Sequence, residues 1–191
     1  MPISKSRVSY TIDLKEDLKQ IPRKDRKKAA KKIADLIRDQ ILDYTSRGRS
    51  PVQNGVYTSN LVNKKYRDFK RKKKGTSRAD LRLKESMLNS LRSKVKGSKI
   101  TIEIKGSVKD VAKASGHNKG DYNGGVKRQF IPDDTKGESL KSPIQNKIKA
   151  VLESYRPERE DDSFDPIILA YAEEERRKKK EEEINEEADN E

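Results

Sequence analysis

The sequence predicts an α+β fold in which a long N-terminal helix packs on a small antiparallel sheet, followed by a C-terminal helical extension. Apolar residues recur every three or four positions across residues 22–46 and every second position across residues 99–105. The first spacing gives a helix one apolar stripe, and the second gives a strand one apolar face. Elements that are apolar on one side bury those sides against each other.

The composition predicts a thin core. Hydrophobic residues make up 30% of the 191 residues and charged residues 41%, whereas charged residues average about 25% in globular domains. The chain has no cysteine and one histidine, which excludes disulfides, thiolate catalysis and cysteine-ligated or histidine-rich metal sites. No apolar run has the length of a membrane span or a signal peptide. We therefore expect a protein made in a cytoplasm, with no cofactor, no membrane partner and stability that depends on neighbouring subunits.

The first half of the chain predicts a strand, a helix and a basic loop. Residues 8–14 alternate apolar and polar, which is typical of a half-buried strand. Pro22 suits the first turn of the helix over 22–46, and Gly48 suits its left-handed end. Lys64–Lys74 contains eight basic residues and one acidic residue, and is predicted to be a mobile basic loop or arm.

The second half predicts more short elements. A short strand is expected at Leu81–Leu83, a hairpin over 93–105, a short helix over 107–116 and a last strand at Gln129–Pro132. A closing helix is expected from an N-cap at Ser142. The predicted core consists of Ile33, Ile37, Ile41, Leu88, Leu91, Ile100, Ile102, Ile104 and Phe130.

Charge divides the chain into two parts. Residues 157–191 hold 15 acidic and 6 basic residues, a net charge of −9, and residues 1–156 hold 40 basic and 17 acidic residues, a net charge of +23. We therefore predict a basic α+β domain over 1–156 and an acidic linker with a helical arm over 157–191. A basic body favours contact with nucleic acid or with an acidic protein surface.

The basic cluster Lys64–Lys74 is the first candidate site. It interleaves Tyr66 and Phe69 with the cations, so it is predicted either to follow phosphates or to be a solvated loop. The side chains expected to face a DNA channel, phosphates or acidic side chains at a subunit boundary are Lys70, Arg71, Lys72, Lys73 and Lys74. No helix-turn-helix, RNP or zinc-finger pattern is present, which argues against sequence-specific recognition.

The C-terminal segment is the second candidate site. Its charged helix has almost no apolar face, so it is predicted either to be a solvated tail or to become ordered against another subunit. In the second case an arm leaves its own domain after Pro157. The side chains predicted to bind the partner are Phe164, Ile167, Ile168, Leu169 and Tyr171.

The sequence contains no catalytic constellation. His117 has no local nucleophile or orienting carboxylate in the sequence, which favours a loop histidine bonded to backbone. Asp133-Asp134 and Asp161-Asp162 lack the spacing of a calcium loop, and they are predicted to be a turn and a solvated linker. We therefore predict that the chain is not an enzyme.

Five segments, taken in order, carry a resemblance to a known family. They are Arg49–Val52 (RSPV), Lys65–Lys70 (KYRDFK), Leu81–Leu91 (LRLKESMLNSL), Ala114–Gly120 (ASGHNKG) and Arg128–Pro132 (RQFIP). In this order they resemble the virion-morphogenesis, or tail-completion, proteins in the neck of tailed bacteriophages. The resemblance covers about residues 8–156, and residues 157–191 have no counterpart in it.

The resemblance implies a structural role in the virion. Such proteins form rings in the neck, as hexamers or dodecamers, between the portal or connector and the tail proteins. Double-stranded DNA passes through the lumen of the ring. The particle is assembled in the host cytoplasm. The alternative that charge supports equally is a basic, non-sequence-specific nucleic-acid-binding protein of a cell.

Overall fold

The structure, a computed structural model, describes residues 8–58, 61, 63–81, 86–121, 126–157 and 166–188. The strands in these ranges are β1 (Ser9–Asp13), β2 (Leu91–Lys96) and β3 (Lys99–Ile104). The helices are α1 (Lys15–Lys19), α2 (Arg26–Ser46), α3 (Lys64–Lys74), α4 (Ser86–Asn89), α5 (Val108–Lys119), α6 (Ser142–Tyr155) and α7 (Pro166–Ala188), with a 3₁₀ turn at Asp134–Lys136.

The three strands form one antiparallel sheet in which β3 lies between β1 and β2. A two-residue turn joins β2 to β3, and Gly97 adopts φ +61° there, a left-handed conformation that glycine reaches without strain. Ile102 stands opposite Tyr10 of β1 and Ser93 of β2. The alternation in β3 therefore gives the sheet one apolar face, as predicted.

Helix α2 packs on that face of the sheet and also contacts α6. Its apolar stripe, with Ile33, Ile37 and Ile41 at its centre, is fully buried. The predicted α+β class is thus confirmed, and all nine predicted core residues are buried. The helix begins four residues later than predicted, because Pro22 and Asp25 close a separate turn ahead of it.

The predicted basic loop at 64–74 is wrong, because this segment is helix α3. The Asn63 side chain accepts a hydrogen bond from the backbone N–H of Tyr66 and caps the first turn. Gly75 ends the helix in the left-handed conformation. Lysine and arginine are good helix formers, so these two caps favour a helix even though the segment is poor in apolar residues.

The predicted strand at 129–132 is also not observed, and the one predicted at 81–83 lies mostly outside the described residues. Leu81 has φ +58°, and residues 82–83 are not described. Phe130 and Ile131 are buried but belong to no strand, and the Asn118 side chain accepts hydrogen bonds from both N–H groups at 2.9 and 3.1 Å. One side chain therefore takes the place of a neighbouring strand.

Helix α6 begins at Ser142, with Lys141 in the cap position and no side-chain cap, so the predicted cap is wrong. Helix α7 packs along α6. Ala172 is 1% exposed, and Glu175 reaches Lys32 of α2 at 2.9 Å. An arm that leaves its own domain after Pro157 is therefore also a wrong prediction: the charged helix lies on its own chain.

Candidate nucleic-acid interface

Helix α3 separates the five basic residues that were predicted to face a DNA channel. Arg71, Lys72, Lys73 and Lys74 are exposed in its last turn. Lys70 is 2% exposed and points inward, so the prediction that it faces phosphates is wrong. Cations in the last turn of a helix interact favourably with the negative end of its dipole, which gives the exposed four a local structural role as well.

Lys70 holds α3 against the segment that follows it. Its Nζ donates hydrogen bonds to the Asp80 carboxylate and to the Arg78 carbonyl, and Asp80 is itself largely buried. A buried ammonium group requires such partners, because burial of an unpaired charge is very costly. The run of lysines thus contains one structural residue that composition did not distinguish from its neighbours.

A polar cluster continues from this ion pair across two further segments. Tyr57 donates through its hydroxyl to the Ala79 carbonyl at 2.9 Å, and Arg128 donates through Nε to the Thr58 carbonyl at 3.1 Å. Burial raises the pKa of Tyr57, while the charge of Arg128 opposes that rise. The cluster joins three irregular segments. The hydrogen bonds of Tyr57 and Arg128 are both accepted by backbone carbonyls, as expected of a structural network.

The predicted partner-binding residues have different environments in α7. Ile167 and Tyr171 are 61% and 45% exposed, whereas Ile168 is half-buried. Phe164 lies outside the described residues, as does the side chain of Leu169. Contact of these side chains with a partner stays a prediction. Helix α7 is already packed on its own domain, so such a contact would involve the outer side of the helix.

The acidic pairs form no metal site in the described part of the chain. Asp133 accepts a hydrogen bond from the Thr135 N–H at 3.1 Å and begins the predicted turn. Asp134 accepts from the Thr11 N–H of β1 at 3.0 Å. Asp161 and Asp162 lie outside the described residues, and within them no three acidic or histidine side chains gather as metal ligands. No described helix is long and apolar enough to cross a membrane.

His117 lies in the last turn of α5, not in a loop, and is half-buried. Its carbonyl accepts a hydrogen bond from the Arg128 N–H at 2.8 Å. Burial, together with the charges of Arg128 and Lys113, lowers the pKa of the imidazole to about 4. A neutral imidazole held among cations is poorly placed to act as a general base near pH 7, which fits a structural role.

The low pKa of His117 predicts acid sensitivity. An unfolded histidine has a pKa of about 6.5, so the unfolded chain binds the proton more tightly than the folded chain. The stabilisation is complete above pH 6.5 and is lost as the pH falls towards 4, by about 3 kcal/mol at most. Urea unfolding of the wild type and of His117→Gln at pH 7 and pH 4.5 measures this loss. Parallel pH dependence of the two proteins would contradict the assignment.

A groove of about 940 Å³ lies between α1, the start of α2 and the β2–β3 hairpin. We call it the basic groove. Its basic lining residues are Lys15 and Lys19 of α1, Arg23 in the turn before α2, and Arg26, Lys27, Lys31 and Arg38 of α2. Leu18 and Ala34 also line it but are almost fully buried, whereas Val95 of β2 is partly exposed. Gly97 and Ser98 of the hairpin turn complete the lining.

Carboxylates outside the lining offset two cations of the basic groove: Glu16 pairs with Lys19 at 2.9 Å, and Asp39 pairs with Arg38 at 3.0 Å. Of its described lining residues, Asp35 alone carries a carboxylate, which pairs with Arg38 at 3.3 Å. Arg26 is fixed by the carbonyls of Ile21 and Lys19, at 3.0 and 3.2 Å. Arg23, Lys27 and Lys31 have no ion-pair partner among the described residues. The groove can thus offer several long cationic side chains to a polyanion.

The sequence showed only part of this groove. The α2 pattern placed basic residues at positions 27, 31 and 38 on the outer face of one helix. Lys15 and Lys19 belong to a separate short helix, and their position opposite α2 depends on how the chain turns at Pro22. Periodicity describes one element at a time, so it gave no signal for a concave surface built from three.

Comparison with family models, with curated proteins and with solved structures found no match to this chain. Its function is therefore argued from the residues, the fold and the surface described above.

Proposed function

We propose that this chain is a structural protein of the neck of a tailed bacteriophage, where copies of it form a ring that joins head and tail around the DNA channel. The observation that carries the proposal is a small α+β body, with a long helix on a three-stranded sheet, whose outer surface is strongly basic. The resemblance implies a long N-terminal helix packed on a small sheet, with which this α+β class is compatible, and the positive charge suits a protein that surrounds DNA.

Exposed apolar side chains support assembly into a ring. Tyr66 and Phe69 are exposed on α3, Val108 at the start of α5, and Ile167 and Tyr171 on α7. Residues three or four apart share a helix face, so Tyr66 with Phe69 and Ile167 with Tyr171 form two exposed apolar faces that suit contact with other subunits. By resemblance, the ring is a hexamer or dodecamer, and its neighbours are the portal or connector and the tail proteins. The site of action is the virion.

The second candidate is a basic, non-sequence-specific nucleic-acid-binding protein of a cell, which the basic groove favours. The two proposals differ in oligomeric state. A neck protein assembles into closed rings at raised concentration or with its head-side and tail-side partners, whereas a monomeric DNA binder does not.

Sedimentation velocity of the full chain over a range of concentrations, alone and with a portal-type partner, distinguishes the candidates. We expect a discrete large species whose mass is a fixed multiple of 21.9 kDa. A chain that stays monomeric under all these conditions and binds short duplexes tightly would favour the second candidate.

A further inference from the structure

We propose that the basic groove binds the phosphate backbone of duplex DNA without reading its sequence. The inference deepens the proposed function, on which it rests for the identity of the polyanion. It assigns the DNA contact to α1 and α2, and not to the lysine run of α3.

The groove presents cations along a line that suits a duplex. Lys27, Lys31 and Arg38 line the groove from one helix, and the helical rise places the first and last about 16 Å apart. Duplex DNA carries one negative charge per about 1.7 Å of its axis. Several phosphates therefore lie within reach of Lys27 and Lys31 at once, and Lys15 of α1 belongs to the same lining.

The arrangement is unfavourable for the protein alone. The first turn of α2 contains basic residues and no acidic residue, although the positive end of a helix dipole favours the reverse. Lys27 and Lys31 are also four residues apart, the spacing at which like charges repel along a helix. A bound polyanion removes both costs.

The described carboxylate of α7 that pairs with α2 lies away from the groove. Glu175 pairs with Lys32, which points about 100° away from Lys31 around α2. Among the described side chains of α7, none forms an ion pair with a residue of the groove lining. In α3, by contrast, Lys70 is buried and the cations beside it complete a helix end.

The surface of the groove explains why sequence is not read. Sequence readout requires hydrogen bonds to base edges, whereas flexible cations on phosphates position a duplex without sequence information. The short polar side chains of the lining are already bonded within the protein: Ser98 Oγ donates to Asp13 at 2.7 Å, and Ser93 Oγ donates to Asp35 at 3.5 Å. A duplex held in this way can slide, as the proposed function requires.

Fluorescence anisotropy with short duplexes of two unrelated sequences tests the proposal. The groove variant carries Arg23→Gln, Lys27→Gln and Lys31→Gln in the full chain. The matched control carries Arg71→Gln, Lys72→Gln and Lys73→Gln, which removes the same number of arginines and lysines from α3. Thermal melting of each variant shows whether it is folded, and Lys31→Gln alone replaces the triple variant if folding is impaired.

We expect the groove variant to bind on the order of 10²- to 10³-fold more weakly at about 0.1 M salt, and the slope of log K against log salt to fall by about 2.7 for three lost phosphate contacts. The control should bind nearly as the wild type does, and the two sequences should bind alike. Equal losses in groove variant and control, or no binding of duplex by the wild type, would overturn the proposal. So would tighter binding of a polyglutamate of equal charge, which would assign the groove to an acidic protein segment.

Oligomeric state, measured on the same samples, separates this inference from the proposed function. A protein that binds DNA through the groove but forms no ring contradicts the proposed function alone. A ring whose DNA binding is unchanged in the groove variant contradicts the groove alone.

Discussion

Replacement of Ile102 by alanine is expected to lower the free energy of unfolding by about 2–5 kcal/mol. Ile102 is 0% exposed in the central strand, between Tyr10 and Ser93 of the two outer strands and on the face that α2 covers. Truncation removes buried methyl and methylene groups and leaves a cavity where helix and sheet meet. Urea unfolding of the full chain at pH 7 measures the change.

Lys94→Ala is the matched control for this substitution. Lys94 is exposed on β2, so its replacement should change the free energy of unfolding by less than about 0.5 kcal/mol. If Ile102→Ala has as small an effect as the control, the apolar face of β3 does not form the core, and the packing of α2 on the sheet is wrong.

Lys70→Ala is expected to cost about 3–5 kcal/mol, the usual result of removing one partner of a buried ion pair. The substitution leaves the Asp80 carboxylate and the Arg78 carbonyl without the ammonium group that both accept from. A change this large at one lysine of a basic run is unexpected from composition. The control is Lys72→Ala, two residues along α3, where an exposed side chain should be replaced at little cost.

A double variant, Lys70→Met with Asp80→Leu, isolates the charge. Lys70→Ala removes the ammonium partner of the Asp80 carboxylate. If that loss causes the destabilisation, the double variant should recover most of the free energy of unfolding, because it removes both charges and keeps side chains of similar volume. A Lys70→Ala protein as stable as Lys72→Ala would show that Lys70 is solvated. Replacement of all five residues from Lys70 to Lys74 would conflate this structural effect with any loss of DNA contact.

The elements that the sequence predicted well are those whose apolar period continues over several turns or residues. Helix α2 repeats its apolar spacing from Ala30 to Ile41, and β3 alternates through Ile100, Ile102 and Ile104. The first spacing matches a helix and the second matches a strand. Each element therefore has one apolar side. Their mutual packing, and with it the α+β class, follows from those two observations.

The segments that were predicted wrongly are those in which a few polar groups decide the backbone. Asn63 and Gly75 cap the two ends of α3. Asn118 accepts hydrogen bonds from the backbone at Phe130 and Ile131, where a strand was predicted. Such contacts involve one or two residues and leave no period in the sequence. The position of α7 is a similar case, because a nearly uniform run of charges does not indicate which of its residues, such as Ala172, will be buried.

The sequence predicted a polyanionic partner from the net charge of residues 1–156, and this stays a prediction in both proposals. It placed the contact in α3, where lysines are densest along the chain. The basic groove has fewer cations per residue of chain, and its lining comes from three elements that are apart in the sequence. No pattern within a single element indicates such a surface.

Electron microscopy of the purified full chain, alone and with a portal-type partner and duplex DNA, tests the central claim most directly. We expect closed rings of six or twelve subunits, as the family resemblance implies. Their lumen should admit a duplex, and the basic groove should face that lumen. Single subunits in every image, at low and raised protein concentration and with the partner present, would contradict the claim that this chain is a ring-forming neck protein.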